Sequence, residues 1–275
     1  MGANIGTTAT AWVISLLGLK FSMADLAIPL VAIAIPFIFS KHSRRKSIGE
    51  LIIGFALLFL GLSFLKESVP DLQSSPEVLA FLQQWTNYGF GSILMFVLIG
   101  TILTIVLQAS SATMAITMLL AASGLIDFKL AVAMVLGENI GTTITANIAA
   151  AVANTSAKRA ARAHTIFNII GVIWVLCLFR PIVKLICIIM SELGFVDPTM
   201  ASSQLAAIAG GSVAADAEMI ETYKNSLLYG IAMLHTLFNI TNTMVLIWFT
   251  PLIEKAVVWL VKEPKGETEV FRLKY

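Results

Sequence analysis

Charged residues are scarce in this sequence: they make up 12% of its 275 residues, about half their share in ordinary soluble domains. Apolar residues reach 58%, and the mean hydropathy is +0.89. These values exclude a soluble globular protein and predict an all-α integral membrane protein that contacts the lipid bilayer. The net charge is only +2, and no basic stripe is interleaved with aromatic residues. We therefore expect no nucleic-acid partner.

The residues of enzyme and metal chemistry are also few. The only two cysteines, Cys177 and Cys187, lie in one apolar stretch and fit neither a metal-ligand spacing nor a CxxC motif. The sequence contains no H-E-x-x-H zinc motif and no G-x-S-x-G nucleophile elbow. We therefore expect no enzyme activity and no cofactor other than coupling ions.

An unusual polar string occurs twice. Residues Gly2 to Trp12 and Gly137 to Asn147 are identical at eight of eleven positions and share the string Asn-Ile-Gly-Thr-Thr. Non-helical backbone at membrane depth survives only where protein or a wet cavity surrounds it. Matching interruptions in two halves of a chain are typical of transporters, and they mark the binding site. The repeat predicts two broken helices that line a shared site.

The distribution of charge predicts the orientation of the two copies. Basic clusters at residues 41–46 and 158–162 are expected on the cytoplasmic side. Residues 66–89 and 191–225 contain more acids than bases and are expected outside. With this assignment the two copies of the string cross the membrane in opposite directions, which predicts an inverted repeat.

A second polar string marks a turn between apolar segments. Residues 90–126 are long enough to enter the membrane and return as a re-entrant hairpin, with Gln108 to Thr113 at the turning point. Helix N-termini at such a turn attract anions, and unwound carbonyls suit sodium. The alternative is that these serines and threonines only join helices by hydrogen bonds. We divide the chain into an incomplete first repeat (1–89), a second repeat (90–262) and the start of a cytoplasmic extension (263–275).

The scarcity of cations near the polar strings predicts how the charge of a bound solute is balanced. Between Phe90 and Ser156 the only cation is Lys129, near a predicted membrane end. A multiply charged oxyanion bound there would need positive charge from sodium ions that bind with it. Asp127 is more consistent with a helix cap, whereas Glu138 is a candidate sodium ligand.

Two further interpretations stay open at this stage. The threonines of the repeated strings either line the site or bond to their own helix where glycines allow close crossing. The string His-Thr-x-Phe-Asn also occurs twice, at His164 to Asn168 and at His235 to Asn239. Buried interhelical hydrogen bonds are its simpler interpretation, and a proton or substrate relay is the alternative.

These motifs resemble the bacterial sodium-dependent phosphate cotransporters of the type II class. In that family each inverted repeat carries a Gln-Ser-Ser-Ser element at a hairpin tip, and the two tips frame the phosphate and sodium sites. The resemblance implies that the solute-binding residues are Gln108, Ser110, Ser111 and Thr113 at the second tip, with Asn139, Thr142, Thr143, Asn4, Thr7 and Thr8 beside them. Sodium is expected at Gln108, Ser110, Thr142 and Glu138. Ala109 departs from the family serine.

The resemblance also sets the functional expectation. It implies sodium-coupled symport of inorganic phosphate across the bacterial cytoplasmic membrane by alternating access. A first hairpin is expected upstream of Met1, and a PhoU-like cytoplasmic domain is expected beyond Tyr275, so that the C-terminus lies in the cytoplasm. The alternatives are transport of another oxyanion and a membrane sensor or scaffold that binds phosphate without moving it.

Overall fold

The computed structural model describes residues 1–17, 23–74, 85–86 and 88–262. All regular elements in these ranges are helical, which confirms the all-α prediction. The helices are α1 (Gly2–Leu17), α2 (Met23–Ile38), α3 (Ser43–Ser74), α4 (Phe90–Leu107), α5 (Ser110–Ala122), α6 (Phe128–Ala150), α7 (Thr155–Cys177), α8 (Phe179–Glu192), α9 (Pro198–Ala209), α10 (Ala217–Leu246) and α11 (Thr250–Leu260). A 3-10 turn, Ile247–Phe249, joins the last two. The predicted extension at 263–275 lies outside the described residues.

Polar residues begin several of these helices. The side chains of Asp127, Asn154 and Asp216 each accept a hydrogen bond from the backbone N–H three residues later, which is the geometry of an N-cap. Asp197 caps α9, and Pro198 occupies its first turn. The cap predicted at Asp127 is confirmed.

Three helical stretches are long and apolar enough to cross a membrane: Phe90–Leu107, Thr155–Cys177 and the continuous run Ala217–Leu260. Helix α5 has 13 residues, about 20 Å at the α-helical rise, and is too short to cross alone. Many large apolar side chains on these helices are exposed, as expected for a surface that contacts lipid. The protein is a membrane protein.

Helices α5 and α10 form the centre of the bundle. Helix α5 packs against α1, α3, α4, α6, α9 and α10, and α10 packs against α1 and α5 to α9. The largest fully buried side chains include Met114 and Met118 of α5 and Leu227, Leu228 and Ile231 of α10. The short helix that follows the polar turn is therefore held on several sides by protein.

Candidate functional site

The turn between α4 and α5 has an unusual backbone. Gln108 adopts a left-handed conformation with φ of 54°, and no other non-glycine residue in the described ranges has a positive φ. Ala109 is extended, and α5 begins at Ser110. Left-handed backbone is uncommon outside glycine and marks a position that deserves a functional hypothesis. The chain does turn where the sequence predicts, within the two residues Gln108 and Ala109.

Side chains at the turn are available to a ligand. Gln108 and Ser111 are exposed and Ser110 is half-buried, and none of the three side chains hydrogen-bonds to a described residue. Ala109 cannot cap α5, so the first N–H groups of that helix have no side-chain acceptor. An anion at this end would meet hydroxyls and free N–H groups together.

Thr113 has a different role from its neighbours. It is fully buried, and Thr104 Oγ1 of α4 donates to Thr113 Oγ1 across the turn at 3.0 Å. The Thr113 hydroxyl also lies 3.4 Å from the Ala109 carbonyl oxygen. Thr113 is therefore placed to hold the two helices together at the turn.

The prediction of broken helices is wrong for both copies of the repeated string. Helix α1 runs unbroken through Asn4, Thr7 and Thr8, and α6 runs unbroken from Phe128 to Ala150. In the first copy Thr7 donates to the Asn4 carbonyl and Thr8 donates to the Ile5 carbonyl. The polar side chains are thus satisfied by their own helix, so the backbone has no need to unwind.

The second copy shows the same internal bonding. Thr142 Oγ1 donates to the Glu138 carbonyl at 2.9 Å, and Thr143 Oγ1 donates to the Ile140 carbonyl at 2.8 Å. Asn139 Nδ2 donates to the Val135 carbonyl at 2.8 Å. These contacts favour the interpretation in which threonines bond to their own helix.

The glycines of the second copy are packing residues. A Cβ added at Gly141 would lie 2.6 Å from Thr104 Cβ and 2.7 Å from the Thr101 carbonyl oxygen, both on α4. A Cβ at Gly137 would overlap the Val97 carbonyl of the same helix. Thr101 Oγ1 also donates to the Gly137 carbonyl at 3.0 Å. The Gly-x-x-x-Gly spacing therefore brings the backbones of α4 and α6 together, as in other membrane helix pairs.

Asn4 joins α1 to α7. Its Nδ2 donates to Asn168 Oδ1 at 2.6 Å, and its Oδ1 lies 2.9 Å from His164 Nε2. Interhelical hydrogen bonds are thus confirmed for His164 and Asn168, whereas His235 and Asn239 of the second string make none with another described helix. Sequence reasoning did not connect the two motifs, although the repetition of both was a signal for it.

A similar contact is made from the end of each repeated string. Trp12 and Asn147 occupy the eleventh position of the two repeated strings. Trp12 Nε1 donates to Thr236 Oγ1 at 2.9 Å, and Asn147 Nδ2 donates to Thr165 Oγ1 at 2.6 Å. Each acceptor is the threonine of one His-Thr-x-Phe-Asn string. The last position of each string therefore donates to such a threonine, between α1 and α10 in one case and between α6 and α7 in the other.

Several buried polar atoms on α6 and α10 have no hydrogen-bond partner in the described structure. They are Glu138 Oε2 on α6, both ring nitrogens of His235, Asn239 Oδ1 and Thr243 Oγ1 on α10. The two helices pack against each other. Uncompensated polar atoms in a buried position are costly, so this region is suited to a bound ion or water.

The candidate residues are brought together only in part. Helix α5, which begins at the turn, packs against both α1 and α6. Within the described ranges no hydrogen bond links Gln108, Ser110 or Ser111 to either repeated string. The described part of the chain contains no cluster of three or more His, Cys, Asp or Glu side chains suited to a metal ion. A cation here would depend on hydroxyl, amide and carbonyl oxygens with Glu138.

Replacement of Asn4 by alanine is expected to destabilise the protein by about 1–2 kcal/mol, because it removes the partner of His164 and Asn168. Asn139→Ala is the matched control, since Asn139 bonds only to its own helix, and a change below about 1 kcal/mol is expected. Equilibrium unfolding in detergent measures both. Equal losses in the two variants would contradict the assigned role of Asn4.

Comparison with known proteins gives a consistent assignment. The family model described as Na+/Pi-cotransporter matches residues 1–67 and 75–204. YjbB of Salmonella typhimurium, provisionally named an inorganic phosphate export protein, is 29% identical over 186 residues, covering 67% of this chain and 33% of YjbB. YjbB of Escherichia coli K12 is 29% identical over 194 residues, covering 70% and 33%. YqeW of Bacillus subtilis is 31% identical over 180 residues, covering 64% and 54%.

No solved structure matches the chain. The matched region spans about a third of the length of the YjbB proteins. The family model nevertheless covers most of this sequence, including both copies of the repeated string and the polar turn. The chain belongs to the Na+/Pi-cotransporter family.

Proposed function

We propose that this protein transports inorganic phosphate together with sodium ions across the bacterial cytoplasmic membrane, by alternating access, with its C-terminus in the cytoplasm. One observation carries the proposal: helix α5 begins at a left-handed polar turn and packs against both helices that bear the repeated string. The helix that follows the turn therefore contacts both halves of the chain. The repeated string on α1 and α6 supports an inverted repeat, and the turn supports a re-entrant hairpin.

The charges near the turn favour sodium as the companion of phosphate. Lys129 is the only cation between Phe90 and Ser156. It is on α6 and lies near the Phe90 end of α4, whereas Gln108 is at the other end of that helix. Phosphate at the turn would accept hydrogen bonds from Ser110, Ser111 and the uncapped N–H groups of α5. Sodium would supply the positive charge that no side chain there provides.

Glu138 is the proposed carboxylate ligand of a coupling sodium ion. It is 3% exposed, Oε2 has no partner among the described residues, and the neighbouring helix carries further unpaired polar atoms. The hydroxyl of Thr142, one turn further along α6, and the unpartnered oxygens of Asn239 and Thr243 on α10 would complete the set. A hard monovalent cation suits an all-oxygen site of this kind.

Glu138→Gln is expected to raise the sodium concentration for half-maximal phosphate uptake about tenfold, because it removes one charged ligand worth roughly 1.4 kcal/mol. Glu192→Gln, at an exposed acid on the end of α8, is the matched control and is expected to leave the sodium dependence unchanged. Sodium titrations of initial uptake rates measure the difference. A Glu138→Gln curve that superimposes on the wild type would rule out this ligand.

Transport by the purified chain in proteoliposomes tests the function itself. An inward sodium gradient is expected to drive accumulation of labelled phosphate, and an equal potassium gradient is expected to drive none. Arsenate, which has the same shape and charge, is expected to compete, and sulfate is not. Binding without accumulation would favour a sensor, and equal inhibition by sulfate would favour another oxyanion.

Export is a second candidate because the YjbB relatives carry the name of phosphate export proteins. The same vesicles distinguish it. Vesicles loaded with labelled phosphate are given a sodium gradient that points either inward or outward, and the net flux of phosphate is recorded. Efflux that exceeds uptake under matched opposite gradients would assign export.

A further inference from the structure

A large cavity lies at the end of the bundle opposite the polar turn. Its volume is about 850 Å³, and its lining includes first-turn residues of four helices, among them Phe90 of α4, Leu130 of α6, Arg180 of α8 and Thr199 of α9. Helix α4 has 18 residues and so separates the cavity from Gln108 by about 27 Å. The cavity is therefore distinct from the candidate site.

Three cations line this cavity. They are Lys129, Arg180 and Lys184, all exposed. None of them forms an ion pair with any residue in the described ranges. Three unpaired cations around one concave space repel one another, and an anion between them would relieve that repulsion.

The two carboxylates in the lining are already bonded elsewhere. Asp127 Oδ1 accepts from the Leu130 N–H at 2.8 Å, and Asp197 Oδ1 accepts from the Thr199 N–H at 2.7 Å. Burial raises the pKa of Asp197, but the hydrogen bonds from Thr199, Cys187 and Met200 together outweigh this effect and leave that pKa below its ordinary value. Both carboxylates act as helix caps and pair with none of the three cations, but their negative charges remain, so the side chains of the lining carry a net charge of +1 (three cations and two carboxylates).

The backbone adds to the positive potential. The residues before α4 and α8 provide no side-chain cap, and the N-terminal end of each helix carries a partial positive charge. Arg180 can bind two oxygens of one phosphate in a planar fork, while Lys129 and Lys184 act as point charges. Apolar residues such as Phe90, Ile93 and Val183 line the rest of the space.

We propose that this cavity binds a phosphate group, supplied either by free inorganic phosphate or by the headgroup of an anionic lipid. Both sources present the same oxygens to Arg180, Lys129 and Lys184. The apolar lining could hold the acyl chain of a lipid, and the open volume could equally hold hydrated phosphate. Binding in this cavity does not depend on the transport proposed above.

Cys177 provides a reporter inside the cavity. Both cysteines line the cavity, but only Cys177 is exposed, whereas Cys187 is buried. In a Cys187→Ala background, the rate at which a water-soluble maleimide labels Cys177 is measured with phosphate or with chloride at equal ionic strength. Labelling is expected to slow about tenfold at a phosphate concentration ten times the Kd. A second arm compares nanodiscs of neutral lipid with nanodiscs that contain phosphatidylglycerol.

The double variant Arg180→Gln/Lys184→Gln is expected to lose this protection. Lys158→Gln/Arg162→Gln removes the same charge from the other basic cluster and is expected to retain it. Should the double variant fail to fold, Lys184→Glu replaces it, with the same expected loss. Protection by phosphate assigns the free ion, and protection by phosphatidylglycerol alone assigns the lipid headgroup. Labelling that is insensitive to both, or protection that survives in the double variant, overturns the proposal.

Because Cys177 labelling needs no sodium gradient, its outcome is separate from that of the transport assay. A chain that moves no phosphate but shows protected Cys177 would retain the cavity site and lose the transport function. A chain that transports phosphate with unprotected Cys177 would lose only the cavity site.

Discussion

Gly137→Ala is expected to destabilise the protein strongly. A Cβ at this position would overlap the Val97 carbonyl and would lie 2.9 Å from the Thr101 backbone nitrogen, both on α4. These are backbone atoms, so no side-chain rotation can make room for it. Helices α4 and α6 would have to separate, with loss of the Thr101 bond to Gly137. A loss of at least about 3 kcal/mol is expected, and the thermal unfolding midpoint in detergent measures it.

The first copy of the string provides a matched control. Gly2, the equivalent of Gly137, is the first residue of α1, so Gly6, the equivalent of Gly141, is used as the control inside the helix. A Cβ added at Gly2 or Gly6 meets no described atom within 4 Å. Gly6→Ala is expected to be neutral or to stabilise α1 by up to about 1 kcal/mol, because alanine favours helix more than glycine does. Equal destabilisation by Gly6→Ala and Gly137→Ala would contradict the packing role of the second copy.

Gln108→Gly is expected to reduce sodium-driven phosphate uptake to the background rate while leaving the fold intact. Glycine adopts the left-handed conformation without strain, so this change preserves the turn and removes only the side-chain amide. The substitution thereby separates the backbone role of position 108 from its ligand role. Gln108→Ala removes the same amide but retains the backbone strain, and it is expected to lose sodium dependence in the same way.

Gln108→Asn completes the comparison. Asparagine tolerates left-handed backbone better than most residues do and retains a shorter amide, so partial uptake with weaker sodium affinity is expected. Initial rates in proteoliposomes, corrected for the amount of folded protein, measure all three variants. Wild-type uptake by Gln108→Gly would show that the amide contributes neither to sodium nor to phosphate binding.

The class of fold could be predicted because composition decides it. A chain with so few charges must satisfy its backbone internally, and helices do this locally. The turn at Gln108 was also predictable, since Gln108 to Thr113 interrupt an apolar run of membrane length. The short length of the turn was not predictable, because the left-handed backbone of Gln108 depends on how α5 is held by the helices around it.

The helix breaks were wrongly predicted for a physical reason. Glycine next to threonine and asparagine indicates weak helix propensity, but propensity is readily overridden by packing. In α6 the glycines allow contact with α4, and the threonine hydroxyls bond to carbonyls of their own helix. The link between Asn4 and His164 required the spatial arrangement of α1 and α7, which neither motif contains alone.

Protection of a thiol at position 110 most directly tests whether phosphate binds at the turn with sodium. In a Cys177→Ala/Cys187→Ala background, the thiol of Ser110→Cys is labelled with a water-soluble maleimide. Four conditions are compared: sodium and phosphate together, each alone, and neither. Labelling is expected to slow markedly only when both ions are present. A rate that is the same in all four conditions, or a thiol that water-soluble reagent never reaches, would contradict the account.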